Sequence, residues 1–235
     1  MFNPSTLRRR IYLVRHAEVA YFDECGKPLN PRDVSLTDNG RSQAQTLASA
    51  LADVPFDLAI CSGLPRTEQT AQRLLGARDL ELRSDPRLQE IRAGRLRDIP
   101  ARLRETTIAY AYDGAELLGA RFIGGETWES FRERVLQTFN ELIANPAWKN
   151  LLIVAHDAAN RVVLSHILGS GLAGLRAIEQ DPACLNIIET DRAEPAARPP
   201  FIRTINLTAY DLIRADQQMT VMEKVFKSYA PGDNA

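Results

Sequence analysis

Arg15 and His16 follow directly after a short apolar run at residues 11–14. A neutral imidazole can act as a nucleophile or a base, and a planar guanidinium offers a fork of donors that suits a phosphate group. A histidine at such a position can also simply form a hydrogen bond at the end of a strand. Taken alone, this pair therefore does not distinguish a phosphate-processing site from an ordinary strand end.

A second apolar run, at residues 151–155, ends in His156 in the same way. Short runs that are apolar on both faces are typical of strands buried in a parallel sheet. In an open α/β sheet, ligands bind beyond the carboxyl ends of the strands. Two strands that both end in histidine therefore predict that His16 and His156 share one site.

Strand-like and helix-like segments alternate along the chain, which predicts an α/β fold of three layers, a largely parallel sheet flanked by helices. Further strands are predicted at 57–61, 81–83, 183–190 and 201–212, the last one antiparallel to its predecessor. Helices are predicted from the N-cap Thr37 to before Pro55, and at 66–75, 101–112, 131–143 and 161–168. We expect a single domain over residues 1–235, with an irregular excursion at 91–125 over the site and disorder at 229–235.

Composition and charge argue against several classes of protein. The 235 residues are 45% hydrophobic and 25% charged, as in ordinary globular proteins. The net charge of −1 gives no reason to expect binding to nucleic acid or to an anionic membrane. Cys25, Cys61 and Cys184 form no CxxC pair, which favours a reducing compartment. No signal peptide or membrane span is apparent, so we expect a cytoplasmic protein with neither membrane nor nucleic acid as partner.

Five short motifs with polar or charged residues occur along the chain. They are RHAE at 15–18, LTDNG at 36–40, CSGLPRTEQTA at 61–71, LQEI at 88–91 and VAHD at 154–157. Together they resemble the histidine phosphatase superfamily, branch 1, which includes the phosphoglycerate mutases and many small phosphatases. The resemblance extends from residue 11 to about residue 189, and residues 62–71 are its most specific part.

The resemblance implies a role for each of five residues. His16 would become phosphorylated, Arg15 and Arg66 would bind the phosphoryl oxygens, Glu90 would donate a proton, and His156 would complete the pocket. Phosphoryl transfer needs these functions: charge stabilisation on the phosphoryl oxygens, an in-line nucleophile and protonation of the leaving oxygen. We therefore expect a phosphomonoesterase of the histidine acid phosphatase type that acts on a small phosphorylated metabolite.

Positive charge for this reaction could come from the protein alone. Arg15, Arg66 and a protonated His156 could together replace the magnesium that kinases use. The three histidines are far apart in sequence, and no cluster of His, Asp and Glu has ligand spacing. We expect neither a metal nor another cofactor. Apart from the substrate, the partner that the resemblance suggests is a second copy of the chain, because homodimers occur in that family.

The chain departs from the family pattern at three places. Ala17 replaces the usual Gly, Phe22 lies near the position of a usual phosphate-binding Asn, and Asp157-Ala158 replaces the usual Gly-Gly. Ala17 requires a backbone conformation that tolerates a Cβ. Asp157 would place a carboxylate beside the phosphate unless its side chain turns away.

Two other functions stay open. A phosphoglycerate mutase is one, although the longer mutase signatures are missing at 20–27 and 91–96. A non-catalytic module that binds a phosphorylated ligand is the other, although the intact His16, Glu90 and His156 argue against it. The excursion at 91–125 is expected to select the leaving group, and some of its arginines could meet a second anionic group of the substrate. These are Arg92, Arg95, Arg97, Arg102 and Arg104.

Overall fold

The structure is a computed structural model that describes residues 8–191, 199–215 and 217–229. Within these residues the strands are β1 Arg8–Arg15, β2 Leu58–Cys61, β3 Leu82–Ser84, β4 Asn150–Ala155, β5 Leu185–Asp191 and β6 Phe201–Leu207. The α-helices are α1 Asp38–Ala50, α2 Pro65–Leu75, α3 Arg104–Ala109, α4 Trp128–Ala144, α5 Asp157–Ile167 and α6 Val221–Tyr229. No helix in these ranges is long and apolar enough to cross a membrane.

The six strands form one mixed sheet in the order β3-β2-β4-β1-β5-β6. Strands β3, β2, β4 and β1 run parallel, whereas β5 is antiparallel to β1 and to β6. This arrangement confirms the predicted α/β class and the antiparallel pairing of the last two strands. Strand β6 ends at Leu207 instead of residue 212, because the Thr208 hydroxyl donates to the carbonyl oxygen of Asp211 and the chain turns there.

Helices cover both faces of the sheet. Successive side chains of a strand point to opposite faces. Ile11 and Leu13 of β1 accordingly lie in one core cluster, with side chains of α4 and α5, and Tyr12 and Val14 lie in another, with side chains of α1 and α2. All four are at most 5% exposed. The carboxyl end of β1 is therefore held between two packed layers, which makes it a rigid base for Arg15 and His16.

The helix ends follow local sequence signals closely. The Thr37 hydroxyl accepts a hydrogen bond from Gly40 N at 2.9 Å and caps α1 as predicted. Pro65 occupies the first position of α2, where its missing N–H costs nothing, and Gly76 ends that helix with φ 57°. Helix α5 begins at residue 157, four residues earlier than predicted. Its first turn has no apolar periodicity that could have revealed it.

The segment 91–125 is irregular, as expected, but the helix predicted at 101–112 is wrong in extent. A 3-10 turn at Ala101–Leu103 is followed by the six-residue α3. The threonines 106 and 107 are weak helix formers, and Tyr110 leaves the helical conformation with ψ 33°. Helix α6 was not predicted. The expected disorder at 229–235 is wrong for Tyr229, which ends α6, and residues 230–235 lie outside the described part.

Candidate active site

The register between β1 and β4 brings the two histidines together. Arg15 pairs with Ala155 across the parallel ladder, so His16 and His156 each follow their strand at the same level of the sheet. The backbone N–H of His16 donates to the carbonyl oxygen of Ala155 at 3.0 Å. The two imidazole centroids are 5.2 Å apart. The structure therefore places the two histidines next to each other at this edge of the sheet.

The two ring nitrogens of His16 differ in their contacts: Nδ1 lies against a backbone carbonyl oxygen, whereas Nε2, among the described residues, does not. Its Nδ1 lies 2.7 Å from the carbonyl oxygen of Ala17, and because a carbonyl can only accept, Nδ1 carries the proton. Burial, followed by the positive charges of Arg66 and Arg15, holds the pKa of His16 well below its ordinary value. The ring is therefore neutral, with the Nε2 lone pair available to a phosphorus atom.

His156 is fully buried and oriented by a chain of hydroxyl groups. The Thr67 hydroxyl donates to the carbonyl oxygen of Leu64, so the Ser62 hydroxyl donates to Thr67 at 3.0 Å and accepts from His156 Nε2 at 2.8 Å. His156 Nδ1 has no hydrogen-bond partner among the described residues. Ser62 and Thr67 belong to the most specific motif of the sequence, and their role is to set the tautomer of this ring.

Without substrate, His156 is neutral. Burial comes first among the causes, and the charges of Arg66, His16 and Arg15 add to it, so the pKa of His156 lies well below its ordinary value. The protonated His156 expected during the reaction stays a prediction, because this lowered pKa applies to the protein without a bound phosphate. Burial of the ring, the largest cause of the lowered pKa, is revealed only by the folded chain.

Arg15 and Arg66 are both buried and each is anchored through one terminal nitrogen. Arg15 Nη1 donates to the carbonyl oxygen of Gln180 at 2.6 Å, and Arg66 Nη1 donates to the carbonyl oxygen of Pro31 at 2.6 Å. The Nε atoms of both are buried without a hydrogen-bond partner in the described part of the chain. Two fixed cations with unused donors suit an anion such as a phosphoryl group.

Glu90 lies beside the amino end of α5. Its Oε1 accepts from the N–H of Ile91 at 2.9 Å, and its Oε2 accepts from the N–H of Ala158 at 3.2 Å. Burial, and then the negative charge of Asp157, raise the pKa of Glu90 above its ordinary value. The two backbone hydrogen bonds and the charge of Arg15 act to lower this pKa, but their effect is smaller. A raised pKa is the property that a carboxyl proton donor needs.

Arg134 of α4, which the sequence analysis did not single out, organises the backbone around Glu90. It donates to the carbonyl oxygens of Arg87 and Gln89, each at 2.7 Å, and to that of Glu90 at 3.1 Å. It also forms hydrogen bonds to both carboxylate oxygens of Glu126 at 2.9 and 3.0 Å. In the sequence, Arg134 is a charged residue on a helix, next to residues of the core, and nothing in its neighbourhood indicated this role.

A cavity of about 420 Å³ opens beside these groups. Arg15, Arg66 and Glu90 line it, and so do residues from both ends of the segment 91–125. His16 lines a neighbouring cavity of about 400 Å³, and Val221 and Val225 of α6 line both. Helix α6 therefore lies between the two cavities, next to the candidate phosphate site.

Of the five arginines of the excursion, Arg92 lines the 420 Å³ cavity. The others are not part of its lining, and Arg95, Arg97 and Arg102 are exposed to solvent. Arg32, from the loop before α1, also lines the cavity. The structure thus narrows the candidates for a second anion contact to Arg92 and Arg32.

The three departures from the family pattern are accommodated differently. Ala17 is fully buried and is not among the residues with positive φ, so its Cβ causes no backbone strain. The Phe22 ring packs against Tyr229 with centroids 4.9 Å apart. Asp157 does line the 420 Å³ cavity, but its Oδ1 accepts from Arg161 Nε at 2.6 Å. The carboxylate is therefore partly turned toward its own helix.

The arrangement brings together a neutral imidazole, two buried guanidinium groups and a carboxyl group whose pKa is raised. Groups of these kinds can serve as a nucleophile, an anion site and an acid. Among the described residues, no group of three or more His, Cys, Asp and Glu side chains is placed to hold a metal ion.

The chain is similar to a known family and to several known proteins. The family described as histidine phosphatase superfamily (branch 1) matches residues 11–199. The adenosylcobalamin/alpha-ribazole phosphatase of Salmonella typhimurium is 30% identical over 182 residues, which are 77% of this chain and 90% of that protein. A probable phosphoglycerate mutase of Erwinia tasmaniensis is 30% identical over 164 residues, 68% of this chain and 75% of that protein. The crystal structure of the alpha-ribazole phosphatase of Shigella flexneri superposes with a TM-score of 0.67 at 26% identity, over 84% of this chain and 96% of that chain.

Proposed function

Because this chain belongs to branch 1 of the histidine phosphatase superfamily, we propose that it hydrolyses small phosphate monoesters through a phosphohistidine at His16. The observation that carries the proposal is the state of His16, a neutral ring with Nδ1 engaged by a backbone carbonyl and with two buried arginines among its neighbours. Arg15 and Arg66 are proposed to bind the phosphoryl oxygens, and Glu90 and His156 to complete the site.

In the first half of the reaction, Nε2 of His16 attacks phosphorus in line with the leaving oxygen. The N–P bond forms as the P–O bond to the leaving group breaks, and Glu90 gives its proton to the leaving oxygen. Arg15 and Arg66 stabilise the charge on the phosphoryl oxygens in the transition state. The dianionic phosphate also favours protonation of His156, whose Nδ1 would then be a donor.

In the second half, the carboxylate of Glu90 takes a proton from a water molecule as its oxygen attacks the phosphohistidine. The N–P bond breaks, inorganic phosphate is released and His16 returns to its neutral form. Glu90 is then protonated again and ready for the next turnover. Each half-reaction needs a fixed positive charge around the phosphoryl group, which the two guanidinium groups supply.

The cavity next to Glu90 would receive the leaving group, and much of its wall is apolar. Its apolar residues include Ile91, Leu96, Ile108, Phe122 and Met222. A wall of this kind favours a leaving group with an apolar or aromatic portion. The Salmonella relative is named for adenosylcobalamin and alpha-ribazole, and we propose alpha-ribazole phosphate as the first candidate substrate.

The decisive experiment is to trap the phosphoenzyme by rapid quench with a labelled aryl phosphate and to compare His16→Ala with His166→Ala. His166 is exposed on α5 and serves as the matched control. We expect an acid-labile phosphoenzyme and normal turnover in the control, and neither in His16→Ala. Near-normal turnover of His16→Ala would show that another residue is the nucleophile. An enzyme without turnover on any phosphate ester would be a binding module instead.

Phosphoglycerate mutase activity is the second candidate, because one relative is named as a probable mutase. The test is incubation with 3-phosphoglycerate and a catalytic amount of 2,3-bisphosphoglycerate, with and without EDTA. We expect phosphate release, if any, to survive chelation, since Arg15 and Arg66 supply the charge that a metal would. Rapid formation of 2-phosphoglycerate with little free phosphate would identify a mutase.

Several broader proposals accompany this function. We propose that residues 1–235 act as one domain without a metal or other cofactor, and that the segment 91–125 borders the leaving-group site. The net charge of −1 and the dispersed cysteines support a cytoplasmic enzyme that binds neither nucleic acid nor membrane. A homodimer is the partner to test by sedimentation, and the small phosphorylated substrate is the other partner.

A further inference from the structure

Two carboxyl groups from distant parts of the sequence meet at the amino end of α5. Glu90 Oε2 accepts from the N–H of Ala158, the second residue of that helix, and Asp157 is the first. Both residues line the same cavity; Asp157 is buried and Glu90 is half-buried. Two carboxylates that share a buried site rarely both carry charge, because each charge disfavours the other.

Of these two carboxyl groups, Asp157 is the one that forms an ion pair. Its Oδ1 accepts from Arg161 Nε at 2.6 Å, and Arg161 is itself 2% exposed. Arg161 is held in turn by the carbonyl oxygen of Leu175 at 2.9 Å, by Glu179 at 3.1 Å and by the ring face of Tyr112. Asp157 therefore forms an ion pair with a buried cation, whereas Glu90 makes no such ion pair among the described residues.

Other charged groups face Glu90 from the surrounding elements. The arginines that line its cavity are Arg15, Arg32, Arg66 and Arg92, and the tyrosines are Tyr21, Tyr112 and Tyr229. Arg134 of α4 contacts the Glu90 carbonyl oxygen, and its charge is compensated by Glu126. Arg15 acts against protonation of Glu90, yet Asp157 also partly neutralises Arg15. The remaining oxygen of Asp157, Oδ2, is buried without a hydrogen-bond partner in the described residues.

We propose that Asp157 is a positioning residue that keeps the Glu90 carboxyl protonated by holding a fixed negative charge beside it. This inference rests on the proposed function, in which Glu90 donates a proton to the leaving oxygen. It also gives a role to the carboxylate that distinguishes this chain from the family pattern at residue 157. In this proposal, the ion pair with Arg161 keeps the negative charge on the Asp157 carboxylate, so that the proton stays on Glu90.

The kinetic test uses Asp157→Asn, which removes the charge and keeps an oxygen that can accept from Arg161. Without the negative neighbour, Glu90 loses its proton at lower pH. The high-pH limb of the kcat profile for an alkyl phosphate should therefore move to lower pH. At neutral pH the alkyl phosphate rate should fall several-fold, short of the roughly 10²-fold or greater loss expected when the acid itself is removed. An aryl phosphate, whose leaving group needs little protonation, should be affected much less.

Glu179→Gln is the matched control. It removes the other carboxylate partner of Arg161, but Glu179 does not line the cavity. A merely structural role of the Arg161 ion pairs predicts similar losses of thermal stability in both variants and no shift of the pH profile in either. A shift of the pH profile of kcat in Asp157→Asn, with no shift in Glu179→Gln, supports the proposal. An unmoved profile in a folded Asp157→Asn enzyme overturns it.

A second measurement reads the proton directly and does not depend on turnover. In infrared difference spectra of the substrate-free enzyme, a protonated-carboxyl C=O band that is lost in Glu90→Gln reports Glu90. We expect this band to persist in the wild type above the pH at which an ordinary glutamate ionises, and to titrate at lower pH in Asp157→Asn, or in Asp157→Ser if the first variant does not fold. A wild-type band that titrates in the ordinary glutamate range overturns the proposal, whether or not the protein proves to be a phosphatase.

Discussion

Arg134 donates to the backbone carbonyl oxygen of Glu90 at 3.1 Å, which ties the candidate proton donor to the long helix α4. The same guanidinium binds the carbonyl oxygens of Arg87 and Gln89, and its other side binds Glu126. Glu126 also accepts from the backbone N–H of Arg92 at 3.1 Å. Arg134 therefore binds residues on both sides of the segment 91–125: Glu90 directly before it and Glu126 directly after it.

Replacing this arginine by lysine should uncouple Glu90 from α4. Arg134→Lys retains the charge but loses the planar fork that reaches three carbonyl oxygens at once. We expect kcat to fall by about tenfold for an alkyl phosphate, with a smaller change for an aryl phosphate, because a misplaced acid matters most for poor leaving groups. Arg132→Lys, on the same helix but outside the cavity, is the control. Equal losses on both substrates would indicate a general loss of folding instead.

Removing the acid itself should produce a strong dependence on the leaving group. We expect Glu90→Gln to lower kcat by about 10²–10⁴-fold on alkyl phosphates and far less on aryl phosphates. Because the pKa of Glu90 is raised and that of His16 is lowered, the wild-type enzyme should stay active into acidic pH, with the Glu90 acid and the neutral His16 present together. The measurement is a pH profile of kcat for both substrate classes. Equal impairment on both would assign Glu90 a structural role.

Charge reversal at two arginines of the excursion separates a binding role from a solvated surface. The two side chains are similarly exposed, 71% for Arg92 and 73% for Arg97, but of the two only Arg92 lines the cavity. We expect Arg92→Glu to lower kcat/KM by about tenfold for substrates with a second anionic group relative to singly charged esters. Arg97→Glu should leave that ratio unchanged. A ratio that neither variant alters would remove Arg92 from the specificity argument and leave Arg32 as the candidate.

The stability of the sheet should depend on pH through Glu189 of β5. Hydrogen bonds from Arg203, and further from Arg10, outweigh burial and lower the pKa of Glu189 to about 2. A carboxylate whose pKa is depressed in the folded state stabilises the fold above its ordinary pKa, and this contribution is lost as the pH falls toward the folded value. The relevant window is therefore from the ordinary value of 4.5 down to about 2.

Urea unfolding at a series of pH values tests this expectation. Glu189→Gln should lower the free energy of unfolding at pH 7 by about 1–2 kcal/mol, since two of its arginine partners are half-exposed and partly screened by solvent. The difference from wild type should shrink through the window and vanish near its lower end. Glu81→Gln, which breaks an exposed ion pair with Arg83, should change the stability by less than about 0.5 kcal/mol. A Glu189 effect that is independent of pH would point to packing instead of charge.

The sequence by itself determined the α/β class and the set of candidate residues. Both follow from local patterns: short runs apolar on both faces predict buried strands, and polar motifs directly after such runs lie at the strand ends. His16 and His156 could be paired from sequence for this reason, because the carboxyl ends of parallel strands meet at one edge of the sheet. The caps at Thr37 and Gly76 were equally local, since each depends on a few neighbouring residues.

Only the tertiary structure decided the environment of those residues. Contacts across the fold decide the position of α6 beside the site and the hydrogen bond from Arg134 to the backbone of Glu90. The direction in which its side chain turns decides the pairing of Asp157 with Arg161. The protonation of His156 was also decided there, because it depends on burial and on guanidinium groups distant in sequence. Desolvation and electrostatic interactions act through space, so the charge states of the site are properties of the folded chain.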